Sequence, residues 1–114
     1  MDLSNGTIGW TVPLGTTADM FPGASVAGTP SFGGPIITAG GLVFIAAAMD
    51  NYLRAFDVET GAELWKGRLP AGGQALPMTY RSRPGGKQVV VIAAGGHCKL
   101  GTQLGDALVA FTLP

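Results

Sequence analysis

A chain of 114 residues holds one domain with a modest core. Its formal net charge is zero and only 12% of its residues are charged, which leaves no electrostatic footprint for nucleic acid or for an anionic membrane surface. Nineteen glycines and eight prolines punctuate a sequence that is 46% hydrophobic, so the expected fold class is all-β, with short apolar strands separated by frequent turns.

The chain opens with Asp2-Leu3-Ser4-Asn5-Gly6-Thr7-Ile8-Gly9-Trp10. An acid and a polar turn after Met1 do not make a secretory signal, which would be basic and then apolar. The same frame, Asp-x-x-(Thr/Asn)-Gly-x-x-x-Trp, returns 55 residues later as Asp57-Val58-Glu59-Thr60-Gly61-Ala62-Glu63-Leu64-Trp65. A further 55 residues on, Leu108-Val109-Ala110-Phe111 echoes Leu53-Arg54-Ala55-Phe56. Self-similarity at a fixed period marks a repeat architecture. Residues 1–14 are therefore expected to end one repeat. Residues 15–29, with Thr16-Thr17-Ala18-Asp19-Met20-Phe21-Pro22-Gly23, belong to an irregular stretch that fits no repeat and is long for a compact domain. It either packs over a neighbouring surface or cofactor, or is a disordered linker.

Residues 30–70 read as one complete unit. Ile36-Ile37 and Leu42 to Ala48 are apolar runs around the turn Thr38-Ala39-Gly40-Gly41, expected as strand, turn, strand. The wider apolar stretch, Pro35 to Met49, is too short to span a bilayer and is broken by Gly40-Gly41. Leu53 to Asp57 alternates apolar and polar, which suits a strand half exposed to solvent. Thr60-Gly61 turns the chain, and Glu63 to Leu69 is a fourth strand. Four short antiparallel strands in about 40 residues make one blade of a β-propeller.

Residues 71–114 repeat most of that blade. Ala75-Leu76-Pro77-Met78-Thr79-Tyr80 mirrors Gly33 to Thr38, Gln88 to Ala94 mirrors Leu42 to Ala48, and Asp106 to Leu113 mirrors the third strand. Ile45 to Ala55 spans ten positions and Ile92 to Ala110 spans eighteen, so an eight-residue insertion lies in the loop Gly95 to Gly105. Loops on a rigid scaffold are where binding chemistry concentrates. This loop carries the only histidine, His97, and the only cysteine, Cys98, which by itself excludes an internal disulfide. Adjacent residues rarely reach one metal, so zinc ligation by this pair is not expected. Gly72-Gly73 and Gly95-Gly96 precede neither Lys-Ser/Thr nor a helix and are not phosphate loops.

Three residues stand out as candidates for binding. His97 offers an imidazole that could donate to a polar atom of a bound ligand; the ordinary alternative is an exposed loop histidine. Asp50 and Asn51 lie between the second and third strands, where an acid and an amide can bond polar ligand edges or simply build a turn. By contrast Asp57, Thr60 and Gly61 read as structural, the aspartate accepting from turn amides ahead of it. Trp10 and Trp65 read as planar surfaces filling the joints between blades.

The frame Ala55-x-Asp57-x-x-Thr60-Gly61-x-x-x-Trp65 resembles the tryptophan-docking motif of the pyrroloquinoline-quinone (PQQ) dependent dehydrogenases, matching at every defining position. The copy at 2–10 has Asn5 for threonine and lacks the alanine. Further stretches resemble the carboxy-terminal end of membrane-bound PQQ glucose dehydrogenase and its quinate dehydrogenase relatives. They are Gly33-Gly34-Pro35-Ile36, Asp50-Asn51-Tyr52-Leu53-Arg54-Ala55, Gly67 to Ala75, Pro77-Met78-Thr79-Tyr80 and Ala94-Gly95-Gly96-His97. The resemblance implies about two blades of a normally eight-bladed propeller. It also implies PQQ as cofactor near Asp50, Asn51 and His97, and a sugar or polyol substrate, glucose foremost, with electrons passed to quinone. The parent it implies is periplasmic, anchored to the inner membrane, with a base and a calcium or magnesium site built from residues outside this chain. The chain alone is then expected to be inactive, and to associate with the remaining blades or with itself through open faces and strand edges. The reading from a different class is a non-catalytic scaffold of PQQ-like repeats that binds protein partners through its loops.

Overall fold

The computed structural model describes all of residues 1–114. Strands β1 (Ile36–Ile37), β2 (Leu42–Ile45), β3 (Tyr52–Asp57) and β4 (Glu63–Arg68) form an antiparallel sheet in the order β1-β2-β3-β4. Strands β5 (Met78–Arg81), β6 (Gln88–Ala94) and β7 (Ala107–Thr112) form a second, three-stranded antiparallel sheet. The fold is all-β, with strands joined to their sequence neighbours, as the repeat pattern implies. Ala55 pairs with Phe44 in the first sheet, and Ala110, at the 55-residue offset, pairs with Val91 in the second.

The core lies between the two sheets. Leu53 and Leu69 from the first blade meet Val90, Ile92 and Ala94 from the second, with Ala46 and Ala71 closing the top. The outer faces remain open: Leu64, Met78, Tyr80 and Leu108 are exposed, the last at 75%.

Three strands differ from the sequence expectation. The run Leu42 to Ala48 leaves its ladder after Ile45, because Ala47 adopts φ 44° and its N–H donates to the Gly73 carbonyl at 2.8 Å. Three alanines that look like strand therefore tie the two sheets together. β3, expected to be half exposed, is buried on both faces, with Arg54 only 4% exposed. The strand preceded by Pro77 starts only at Met78, as suits a residue with no N–H to give the ladder.

The tryptophans sit at the joints. Trp10 donates its indole N–H to the Val58 carbonyl at 2.9 Å and lies flat on Gly61, where a Cβ would come within 2.6 Å of the ring. Gly61 also takes φ 73°, so only glycine satisfies both the turn and the docking. Trp65 meets Phe111 of the second sheet edge-on, with ring centroids 5.0 Å apart. Asp57 accepts from the amides of Glu59 and Thr60 at 2.8 and 2.9 Å, and those bonds hold its carboxyl below the ordinary carboxylate range. Asp2 is lowered in the same way by the Ser4 hydroxyl and amide.

A lowered carboxyl pKa in the fold stabilises it above the unfolded pKa, and that contribution disappears as pH falls through the folded value. Thermal midpoints of the wild type and Asp57→Ala should therefore differ at neutral pH and converge in acid. Parallel curves down to low pH would show that the turn bonds carry no such linkage.

The stretch 11–34 is an ordered excursion. Thr16 and Ala27 form a bridge, flanked by bonds from Thr17 N–H to the Val26 carbonyl (3.1 Å) and from Gly28 N–H to the Gly15 carbonyl (2.8 Å). It lies against the loop between β2 and β3, where the Thr29 hydroxyl accepts from Met49 N–H at 3.0 Å. It packs over a neighbouring surface, the first of the two alternatives the sequence left open.

Candidate functional site

Antiparallel pairing sorts the connections into two ends. The loops 29–35, 46–51, 69–77 and 95–106 gather at one end of both sheets, and the tight turns 38–41, 58–62 and 82–87 at the other. The loop end is cross-braced by backbone. Gly96 N–H donates to the Gly72 carbonyl at 2.7 Å, and Gly72 N–H to the Gln103 carbonyl at 3.2 Å. All three candidate binding residues lie at this end.

Asp50 and Asn51 have different fates. Asp50 is 3% exposed. Its two oxygens accept from Nη1 and Nη2 of Arg54 at 2.9 and 2.6 Å, and Oδ2 also accepts from Thr16 N–H at 2.9 Å. Nε of Arg54 reaches Glu63 at 3.2 Å. The Asp50 hydrogen bond raises the guanidinium pKa further, against a smaller opposing effect of burial. Asn51 instead lines an open cleft of about 270 Å³ with Asp19, Met49, Arg68, Thr102 and Gln103 among its walls. Arg68 bonds the Tyr52 hydroxyl at 2.9 Å and Asp19 at 3.1 Å, while its guanidinium carbon lies 4.9 Å from the centre of the Tyr52 ring.

His97 does not line that cleft. Its ring lies edge-on to Phe32, centroids 5.0 Å apart, beside the segment that enters β1. Nδ1 is buried without a hydrogen-bond partner. The residue is linked to the cleft through Thr102, whose hydroxyl accepts from His97 N–H at 2.7 Å. The inserted loop containing it is ordered around a single 3₁₀ turn, Cys98–Leu100. Cys98 is exposed and free. No three His, Cys, Asp or Glu side chains converge as a metal centre would need.

Arg54, Arg68 and Thr102 were not singled out by sequence reasoning. Arg54 occupies a polar position in an alternating strand, which reads as solvent-facing. Its one local signal is the acid four residues earlier. Arg68 with Asp19 joins positions far apart in the chain, and nothing in the local pattern pairs them.

Residues 1–90 match the PQQ family described as glucose/ethanol/alcohol dehydrogenase, beta-propeller domain. This chain belongs to that family. The PQQ family relatives resemble it over its full length: it is 50% identical to the quinoprotein glucose dehydrogenase of Escherichia coli K12 and 50% identical to a probable quinate dehydrogenase (quinone) of Xanthomonas campestris pv. juglandis, each match covering 100% of the chain. The glycerol dehydrogenase large subunit of Gluconobacter oxydans is 48% identical over 92% of it. The chain spans only 15% of the length of each of these relatives. Among solved structures, a europium-containing methanol dehydrogenase superposes with a TM-score of 0.55 at 35% identity, over 65% of this chain and 13% of that one. No helix is long and apolar enough to cross a membrane.

Proposed function

We propose that this chain forms part of the loop face of a PQQ-dependent dehydrogenase that oxidises a sugar or polyol, glucose foremost, and passes the electrons to a quinone acceptor. The observation that carries this reading is the full-length match to glucose and quinate dehydrogenases, together with the gathering of Asp50, Asn51 and His97 at the loop end. The residues present suit such a cofactor. A buried, unpartnered imidazole nitrogen beside the Phe32 ring is a ready partner for a polar edge of a fused-ring quinone. PQQ, when bound, supplies the two-electron acceptor for the substrate hydroxyl. His97 supplies a hydrogen bond to cofactor or substrate, and Asn51 supplies an amide that orients polar edges in the cleft. Asp50 acts from behind, since its oxygens are already engaged.

In this reading the catalytic base and the calcium or magnesium ligands come from elsewhere in the parent, which is periplasmic. The exposed faces of β5–β7 take the remaining blades or a second copy. The 114 residues alone are expected to give no glucose-dependent dye reduction with PQQ and calcium.

The test is an exchange of segments. This chain would replace the matching stretch of the Escherichia coli quinoprotein glucose dehydrogenase, and PQQ-dependent glucose oxidation should survive. His97→Ala in that hybrid should then lower PQQ affinity or turnover by about tenfold, the value of one lost hydrogen bond. A folded hybrid with no PQQ-dependent oxidation would remove the functional reading. Unchanged affinity and turnover on His97→Ala would remove the site assignment.

A further inference from the structure

We propose that Arg54 is a positioning residue for the Asn51 cleft, acting through the Asp50 carboxylate; the role rests on the reading of that cleft as a contact for cofactor or substrate. Asp50 cannot touch a ligand as it stands. It is 3% exposed, and both oxygens are held by the Arg54 fork at 2.9 and 2.6 Å. A planar guanidinium that bonds both oxygens fixes the plane of the carboxylate as well as its position. Oδ2 so oriented receives Thr16 N–H at 2.9 Å, which seats the excursion 15–29 against the loop 46–51. That excursion brings Asp19 and Met20 to the wall of the cleft.

Asn51 is adjacent in the chain, and its carbonyl is bonded by Leu69 N–H at 2.8 Å. Its backbone is thus pinned on one side by the Asp50 side chain and on the other by β4's continuation. Asn51, so held, is one of the residues that line the cleft. Glu63 completes the arrangement from the half-exposed side, holding Nε at 3.2 Å so that the fork does not pivot. Arg54 is therefore one side chain that sets two walls of the cleft while itself lying beneath it.

The Arg54→Lys variant keeps the charge and loses the fork. In the 114-residue chain, amide exchange and side-chain amide resonances would be followed by NMR. The Thr16 amide should exchange about tenfold faster or more, and the Asn51 carboxamide resonances should shift, while the amides of β6 keep their rates. Asp50→Asn/Arg54→Met, which removes the pair without leaving a lone buried charge, should loosen the same two places. PQQ titrated into the same samples and read by tryptophan fluorescence should bind about tenfold more weakly to Arg54→Lys, as expected when a supporting contact is lost. Wild-type exchange at Thr16 with unmoved Asn51 resonances in both variants would overturn the proposal. So would a uniform rise in exchange across β6, which would make Arg54 a general stabiliser. If the unaltered chain shows no saturable PQQ signal, the PQQ comparison is made in the Escherichia coli hybrid, and the exchange data alone decide whether Arg54 sets the cleft.

Discussion

Arg54→Met is expected to destabilise the chain by about 3–5 kcal/mol, whereas the double variant Asp50→Asn/Arg54→Met should cost far less. The asymmetry comes from desolvation. Side-chain exposures in the Arg54–Asp50 pair are 5% and 1%, so removing the guanidinium strands a buried carboxylate with one backbone N–H, that of Thr16. Removing both charges leaves a neutral amide, so no unpaired charge stays buried. The Arg68–Asp19 pair supplies the contrast. It has a similar contact at 3.1 Å, but its side chains are 53% and 35% exposed. Solvent screens it, and Arg68→Met should change stability by no more than about 1 kcal/mol. Urea unfolding of the four variants of the cycle gives the coupling energy directly. An Arg54→Met cost within about 1 kcal/mol of that of Arg68→Met would mean that the buried pair is solvated in solution.

The contrast between these two arginines also marks how far the sequence could be read. The strands were legible because their period is local: apolar runs between Gly- and Pro-rich turns, repeated at 55 residues, with Trp10 and Trp65 at matching offsets. What escaped was set by surfaces distant in the chain. Arg54 looks solvent-facing by alternation, yet it is buried against Asp50, which in turn is bonded by Thr16 N–H from the amino-terminal segment. Ala46-Ala47-Ala48 looks like strand, yet the Gly73 carbonyl draws Ala47 into a left-handed turn. Asp50 and Asn51 share a loop and a polar character. Asn51 lines the cleft while Asp50 is taken up by the Arg54 fork, and alternation in β3 does not announce that. The presence of the insertion in the loop Gly95 to Gly105 was legible from its length alone, but the contact of the His97 ring with Phe32, from the other blade's approach, was not.

Gly96→Ala should detach that insertion. Gly96 has φ 68°, and a Cβ there would sit 2.1 Å from the Gln103 carbonyl oxygen and 3.1 Å from Leu104 Cα. Both obstacles are backbone, so no rotamer change relieves them. The loop must open, and the bonds from Gly96 N–H to Gly72 and from Gly72 N–H to Gln103 go with it. A left-handed conformation costs a non-glycine residue about 1–2 kcal/mol, and each lost hydrogen bond adds about 1 kcal/mol, so a loss of about 3 kcal/mol or more is expected. Gly101→Ala separates the two causes. Gly101 has nearly the same φ, 65°, but nothing lies within 4 Å of its Cβ position, so only the conformational cost applies. Equal losses for the two variants would show that the loop gives way without resistance. The expected inequality, with faster exchange at the Gly72 amide in Gly96→Ala alone, would make the backbone brace the element that holds Thr102 and Gln103 against the Asn51 cleft.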